Sequence, residues 1–348
     1  MAKNANKELA AATAAAAGAA AIGGKLAWDK LSGSNGDEPD AYRLRADEPV
    51  PDGIRRVARA QLEGAHAAID GASKRKLGEG VHDARKRLKR LRASVRLARA
   101  GLGDQRYRAA NTAFRDIGRE LSGTRDATVL IDTLDQTVEA AGDDLPGGVT
   151  ASLRTRLEQE RDQALAALKD DDARVGKVLG ELADARTRTA SWTFAEDGFD
   201  ALEPGLARIY RRGRKAMREA KSDPSDENLH EWRKRVKDYW HALQLLRPAD
   251  PKRMKKLASS AHDLSDLLGD DHDLVELRTY VMGHRDCFDG RSAQLALLAV
   301  INRRREDLQR QAFRLGAKLY GERPKRFVSK IERGWLKHAG DRAQVHPV

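Results

Sequence analysis

Apolar residues recur at three- and four-residue spacing along most of the chain, the pattern of helices that each bury one face. No stretch sustains the strict apolar–polar alternation of a strand. The pattern predicts helices near 53–71, 80–100, 104–121, 126–141, 149–169 and 172–190. A second series is predicted near 203–221, 225–247, 251–268, 272–287, 290–320 and 325–340. Breaks are expected at Gly101-Leu102-Gly103, from Gly142 to Gly148, at Pro204 and Pro224, from Pro248 to Pro251, and at Gly269, Gly290 and Pro324. The expected fold is all-α. Residues 1–49 stand apart as an Ala/Gly-rich tail and a linker. The helical domain is expected over 50–345, its first part 50–195 and its second 200–345.

The two series resemble each other. Val81-His82-Asp83-Ala84-Arg85-Lys86-Arg87-Leu88-Lys89 and Leu229-His230-Glu231-Trp232-Arg233-Lys234-Arg235-Val236-Lys237 share their order of apolar, His, acid and basic positions. Upstream, Ile54-Arg55-Arg56-Val57 aligns with Leu206-Ala207-Arg208-Ile209. Downstream, Leu121-Ser122-Gly123-Thr124-Arg125-Asp126 aligns with Leu268-Gly269-Asp270-Asp271-His272-Asp273. An internal duplication is expected, giving two pseudo-symmetric helical bundles with a shared site at their seam.

A helical wheel at about 100° per residue places His82, Arg85, Lys89, Arg92 and Arg96 on one stripe. Val81, Ala84, Leu88, Leu91, Val95 and Ala98 fall beside it. In the second half His230, Arg233 and Lys237 take the basic stripe, continued by Trp240 and Gln244. Leu229, Trp232, Val236, Tyr239, Leu243 and Leu246 take the apolar one. Arg87 and Arg235 fall on the far side of the same wheels. A solvated charged face is the plain reading of one basic helix. Against it, these stripes recur and carry no acid at i+3 or i+4, where a surface helix pairs its charges. Crowded cations call for an anion between them. The helix after Pro204 adds Arg208, Arg211, Arg212 and Lys215, and the first helix adds Arg56 and Arg59. The segment 290–320 adds Arg303, Arg304, Arg310, Arg314 and Lys318, in part plain surface charges.

Composition narrows the chemistry. The 348 residues carry 65 Lys+Arg against 53 Asp+Glu, a formal net charge of +12, so a polyanionic partner deserves consideration. Aromatics make up only 5%, too few for a stacking platform that binds single-stranded nucleic acid. Cys287 is the single cysteine, which excludes a disulfide framework and a cysteine zinc site and fits a reduced, cytoplasmic protein. Leu9 to Gly24 is uncharged but mostly alanine, shorter and less apolar than a membrane span. It leaves open a loose tail or a helix that associates with a membrane or granule surface. Ser32-Gly33-Ser34-Asn35-Gly36-Asp37 with Pro39, Pro49 and Pro51 reads as linker.

Catalytic signatures are missing. There is no Gly-x4-Gly-Lys-[Ser/Thr] loop, and Glu158-Gln159-Glu160-Arg161-Asp162 departs from a Glu-x-Glu-x-Lys tunnel motif at its last position. Asp270, Asp271, His272 and Asp273 have metal-ligand chemistry. An N-cap after Gly269 is the simpler account, and no metal or other cofactor is expected. His82 and His230 are placed in the first turn of their helices, as anion contacts through free N–H groups or as hydrogen-bonded helix starts.

The paired histidine helices, Arg125-Asp126 after Leu121-Ser122-Gly123, the Leu268–Asp273 run, and Leu315-Gly316-Ala317-Lys318-Leu319-Tyr320 with Pro324-Lys325-Arg326-Phe327 resemble the CHAD family, the conserved-histidine α-helical domain. The resemblance covers roughly 50–340. It implies two helical bundles around a basic central cavity that binds inorganic polyphosphate; with the catalytic signatures missing, non-enzymatic binding is expected, with recruitment to polyphosphate or other storage granules. Together with the basic stripes, the residues expected to bind polyphosphate are Arg56, His82, Arg85, Lys86, Lys89, Arg92, Arg125, Arg208, Arg212, Lys215, His230, Arg233, Lys234 and Lys237. His272 stands where the first half has Arg125, so that end is expected to be less cationic. Arginines would fork onto phosphate oxygens while lysines act as mobile point charges. The rivals are a nucleic-acid-binding helical protein and a polyphosphate-processing enzyme, although no specific nucleic acid is expected. Binding is expected to tighten as pH falls through about 6.5, the ordinary histidine value.

Overall fold

The computed structural model describes residues 40–45, 47–72, 76–121 and 126–343. The Ala-rich segment before Asp40, and Arg125 with its neighbours Ser122, Gly123 and Thr124, lie outside the described residues. Long helices follow one another: α1 (Val50–Asp70), α2 (Leu77–Leu97), α3 (Asp104–Glu120), α4 (Asp126–Ala141), α5 (Ala151–Lys169) and α6 (Asp172–Ala190). Then come α7 (Glu203–Ser222), α8 (Asp226–Leu245), α9 (Pro251–Gly283), α10 (Arg291–Leu319) and α11 (Pro324–Ala343). No strand occurs among the described residues, and the fold is all-α.

Local sequence explains the boundaries. Pro51, Pro204, Pro251 and Pro324 stand in first turns, where a missing N–H is not needed. The side chains of Asp171, Ser225 and Asp250 accept from the backbone N–H groups of Arg174, Asn228 and Arg253 at 2.9, 3.4 and 3.0 Å, capping α6, α8 and α9. One expected break fails. Gly269 lies inside α9, which runs unbroken from Pro251 to Gly283. A single glycine costs a helix only about 1 kcal/mol relative to alanine, and here its bare backbone receives Arg233. A Cβ on Gly269 would lie 3.3 Å from Arg233 Nη2.

Every residue of the two predicted apolar stripes, along α2 and α8 and the residue that follows each, is buried in one cluster that also takes in α1, α3, α6, α7, α11, the first half of α9 and the second half of α10. A second cluster joins Ile131 and Leu134 of α4, Leu153 and Leu157 of α5, Leu274, Leu277 and Val281 of α9, and Leu297, Val300 and Ile301 of α10. Both cores therefore draw helices from both halves of the chain. The fold also reaches upstream of α1: Tyr42 and Leu44 are buried, and Leu44 N–H donates to the Leu245 carbonyl at 3.0 Å. Helix α8 packs between α7 and α9 and also against α2. The start of α7 presses on the end of α2 at Gly205, where a Cβ would fall 1.8 Å from the Leu97 carbonyl oxygen.

Candidate anion-binding site

The C-terminal part of the α2 basic stripe meets α3, α7 and α8. Arg96 Nη1 donates to Asp238 Oδ1 at 2.7 Å, across from α2 to α8. Arg235 Nη1 lies 2.9 Å from the other oxygen, Oδ2, and its Nε lies 3.0 Å from Glu231. Arg99, Arg208, Arg212, Ile209 and Tyr107 complete a small, narrow pocket. Arg99 is held by Asp104 through Nε at 2.6 Å, with its guanidinium 4.7 Å from the Tyr107 ring centre. Arg92 sits beside this group, its Nε 3.2 Å from Asn111 Oδ1.

The cations here outweigh their partners. Burial, then the charge of Arg96, pushes Arg92 down to about 10, although Asp238 opposes the change. Burial and then Arg235 lower Arg212 as well, against Asp238 and Glu231. A guanidinium shifts in this way only where desolvation and like charge are incompletely answered. Arg212 reaches Glu231 only at 3.9 Å.

A second cationic group lies where α8 meets α9. The rings of His230 and His272 stand 4.5 Å apart, tilted by 33°. Arg233 lies against Gly269, and Lys234 pairs with Glu231 at 2.6 Å. Among the described residues, His230 Nδ1 and Arg233 Nε are buried without a hydrogen-bond partner. Burial, then His272, Lys234 and Arg233, pushes His230 down to about 4. In the first half, Arg85 Nη1 donates to the Leu121 carbonyl at 3.3 Å. Leu121 is the residue that the sequence aligns with Leu268, next to Gly269. The charges of Lys237 on α8 and Lys89 on α2 both act on His241. This histidine is buried and held well below its usual value by burial first, then by Arg90 and Lys237, with Lys89 adding to the effect. His82 and Lys86 are half-buried on α2.

Several expectations need correction. Helix α2 begins at Leu77 and α8 at Asp226, so His82 and His230 lie beyond the first turn, where backbone N–H groups are already engaged. Asp271 caps nothing. It is buried mid-helix and accepts from Arg305 Nε at 3.0 Å and Gln309 Nε2 at 2.9 Å. Arg235 does not face away from the site: its side chain is 13% exposed and lies in the pocket. The wheel misled because α8 is covered by α7 as well as α9, so its supposed far side faces another helix. Arg56 is drawn elsewhere, donating to Glu48 at 2.8 and 2.5 Å and to the Arg43 carbonyl at 2.7 Å. Lys215 pairs with Glu219 on the exposed face of α7. Arg303 pairs with Asp144, and Arg310 with Asp307 and Glu306.

Sequence reasoning missed Asp238, Arg99 and Tyr107. An acid among Trp232, Val236, Tyr239 and Leu243 was the available signal, since an isolated charge on an apolar face needs a buried partner. Among the described residues no group of three or more His, Cys, Asp or Glu side chains could hold a metal. No described helix is long and apolar enough to cross a membrane.

The family model of the CHAD domain matches residues 56–281. The chain belongs to the CHAD family. Among solved structures, PptA from Streptomyces chartreusis is similar to this CHAD protein with a TM-score of 0.56 at 16% identity, over 78% of this chain and all of that one. That likeness concerns the fold. No curated protein matches the sequence. The CHAD match spans α1 to the end of α9 and so contains both cationic groups.

Proposed function

We propose that this CHAD protein binds inorganic polyphosphate without processing it, through a cationic track that runs from the His230–His272 group to the arginine pocket. The observation that carries the reading is the convergence of Arg96, Arg99, Arg208, Arg212 and Arg235 from neighbouring elements on one pocket, with Arg92 pushed down to about 10 by burial and then by Arg96. A linear chain of phosphates answers that excess at regular spacing, and forked guanidiniums match its oxygens. Membership in a family linked to polyphosphate supports the same ligand. His82, Arg85, Lys86, Lys89 and Lys237 extend the track on the first-half side. The paired alignment of the two basic helices supports a duplicated, pseudo-symmetric origin for it, and recruitment to polyphosphate or other storage granules is the cellular role proposed.

Calorimetric titration with polyphosphate of defined length tests the reading. Binding should be saturable and salt-dependent. Arg96→Ala/Arg212→Ala and Arg233→Ala/Lys237→Ala should each weaken the same event, lowering the salt slope by about 0.7 per lost contact on the single-strand analogy. Arg59→Ala/Arg310→Ala, two exposed and locally paired cations, serves as the control. Equal losses in the control would reduce binding to diffuse surface attraction. Nucleic acid should be displaced by polyphosphate at far lower concentration than the reverse. Chain length should stay constant on long incubation with and without divalent metal; shortening would make the protein a processing enzyme.

A further inference from the structure

The arginine pocket contains its own anion. Asp238 is only 8% exposed, and both of its oxygens are engaged, Oδ1 by Arg96 from α2 and Oδ2 by Arg235 from α8. Around it stand Arg99, Arg208 and Arg212, which make no ion pair with it. The pocket is thus neutralised at its centre and cationic at its walls.

Resting on the polyphosphate reading above, we propose that Asp238 sets the selectivity of the pocket, a resident counter-anion that disfavours short phosphates and admits long chains. A short anion that enters the pocket among Arg96, Arg235 and Arg212 lies beside this carboxylate. There it meets the Asp238 charge at close range in a partly desolvated site, where repulsion is poorly screened. A long chain need not displace that carboxylate. It gathers contacts from Arg208, Arg212, Arg92 and the cations beyond, and the charge of Asp238 is one unfavourable contribution among many favourable ones. Selectivity then arises from a repulsive element placed against the competitor rather than from an extra contact to the preferred ligand.

The test is titration of tripolyphosphate and of long-chain polyphosphate into wild type, Asp238→Asn and Asp238→Glu at one fixed salt concentration, with a thermal melt of each protein. Asp238→Asn should bind tripolyphosphate about tenfold more tightly and long chains less than about threefold more tightly, so the preference for long chains narrows. Asp238→Glu, which keeps the charge, should keep the wild-type preference. A variant that gains equally for both ligands, or loses affinity for both, overturns the assignment and leaves Asp238 a positioning residue for Arg96 and Arg235. If Asp238→Asn does not fold, Arg96→Gln/Asp238→Asn removes both charges and is judged by the same ratio: narrowing supports the assignment, and an unchanged ratio overturns it. Wild type that binds long chains while the ratio stays unaltered in the variants sinks the Asp238 assignment alone. Failure of every protein to bind either ligand sinks the polyphosphate reading and this one with it.

Discussion

His230 shows how much the surroundings of one residue alter its chemistry. A histidine at the head of a basic stripe suggests protonation near 6.5, but burial beside His272, Lys234 and Arg233 lowers it to about 4, with Glu231 opposing. Between those values the unfolded chain takes up a proton that the folded protein refuses. The stability contribution of the neutral ring is therefore complete above pH 6.5 and lost as pH falls toward 4. The buried His241 acts in the same direction. Melting temperatures at pH 7 and pH 4.5 should differ less for His230→Gln than for wild type; equal differences would remove His230 from the account. The pH dependence of polyphosphate binding by the ring is correspondingly expected below 6.5, because an anion must first offset the neighbouring cations.

At the scale of elements, helix identity followed from local chemistry, while helix continuity did not. Proline starts and polar caps act over a few residues, so most boundaries could be read from the chain. Gly269 deceived because the residue that uses its bare backbone, Arg233, lies on another helix. Gly205 is the sharper case. Its missing Cβ lets α7 touch the last turn of α2, a contact that positions Arg208 and Arg212 opposite Arg96. The clashing atom is a backbone carbonyl, which cannot swing aside. Gly205→Ala should destabilise the protein by about 3 kcal/mol, near the upper end for overpacking, measured by denaturant titration. A loss below about 0.5 kcal/mol would show that the two helices slide apart freely. The stripe positions were legible for the same local reason. Their neighbours were not, as the misplacement of Arg235 shows, since a wheel places a face but does not say what covers it.

At the scale of the whole molecule, the long α9 and α10 tie the two cores together, and the chain before α1 belongs to the first of them. Tyr42 donates to the Arg90 carbonyl at 3.2 Å and stands edge-on to His241, 6.0 Å between ring centres. Deletion of residues 1–39 should leave polyphosphate affinity nearly unchanged. Deletion of 1–45 should lower the melting temperature by several degrees, because removing a buried aromatic and a buried leucine leaves a cavity. Titration and a thermal melt of both truncations check this; equal melts would show that the segment adds nothing to the core. By itself the sequence determined that the chain is helical, which faces are apolar, and that cations align on two related helices, since these depend on composition and on a period of 3.6 residues. Only the tertiary structure decided that Asp238 answers Arg96 and Arg235, that Arg56 is spent on Glu48, and that His230 meets His272. Arg96 with Asp238 and His230 with His272 join residues far apart in the chain, and even the nearer partners meet only as the helices pack. Their energies depend on distance and desolvation, and neither exists until the helices pack.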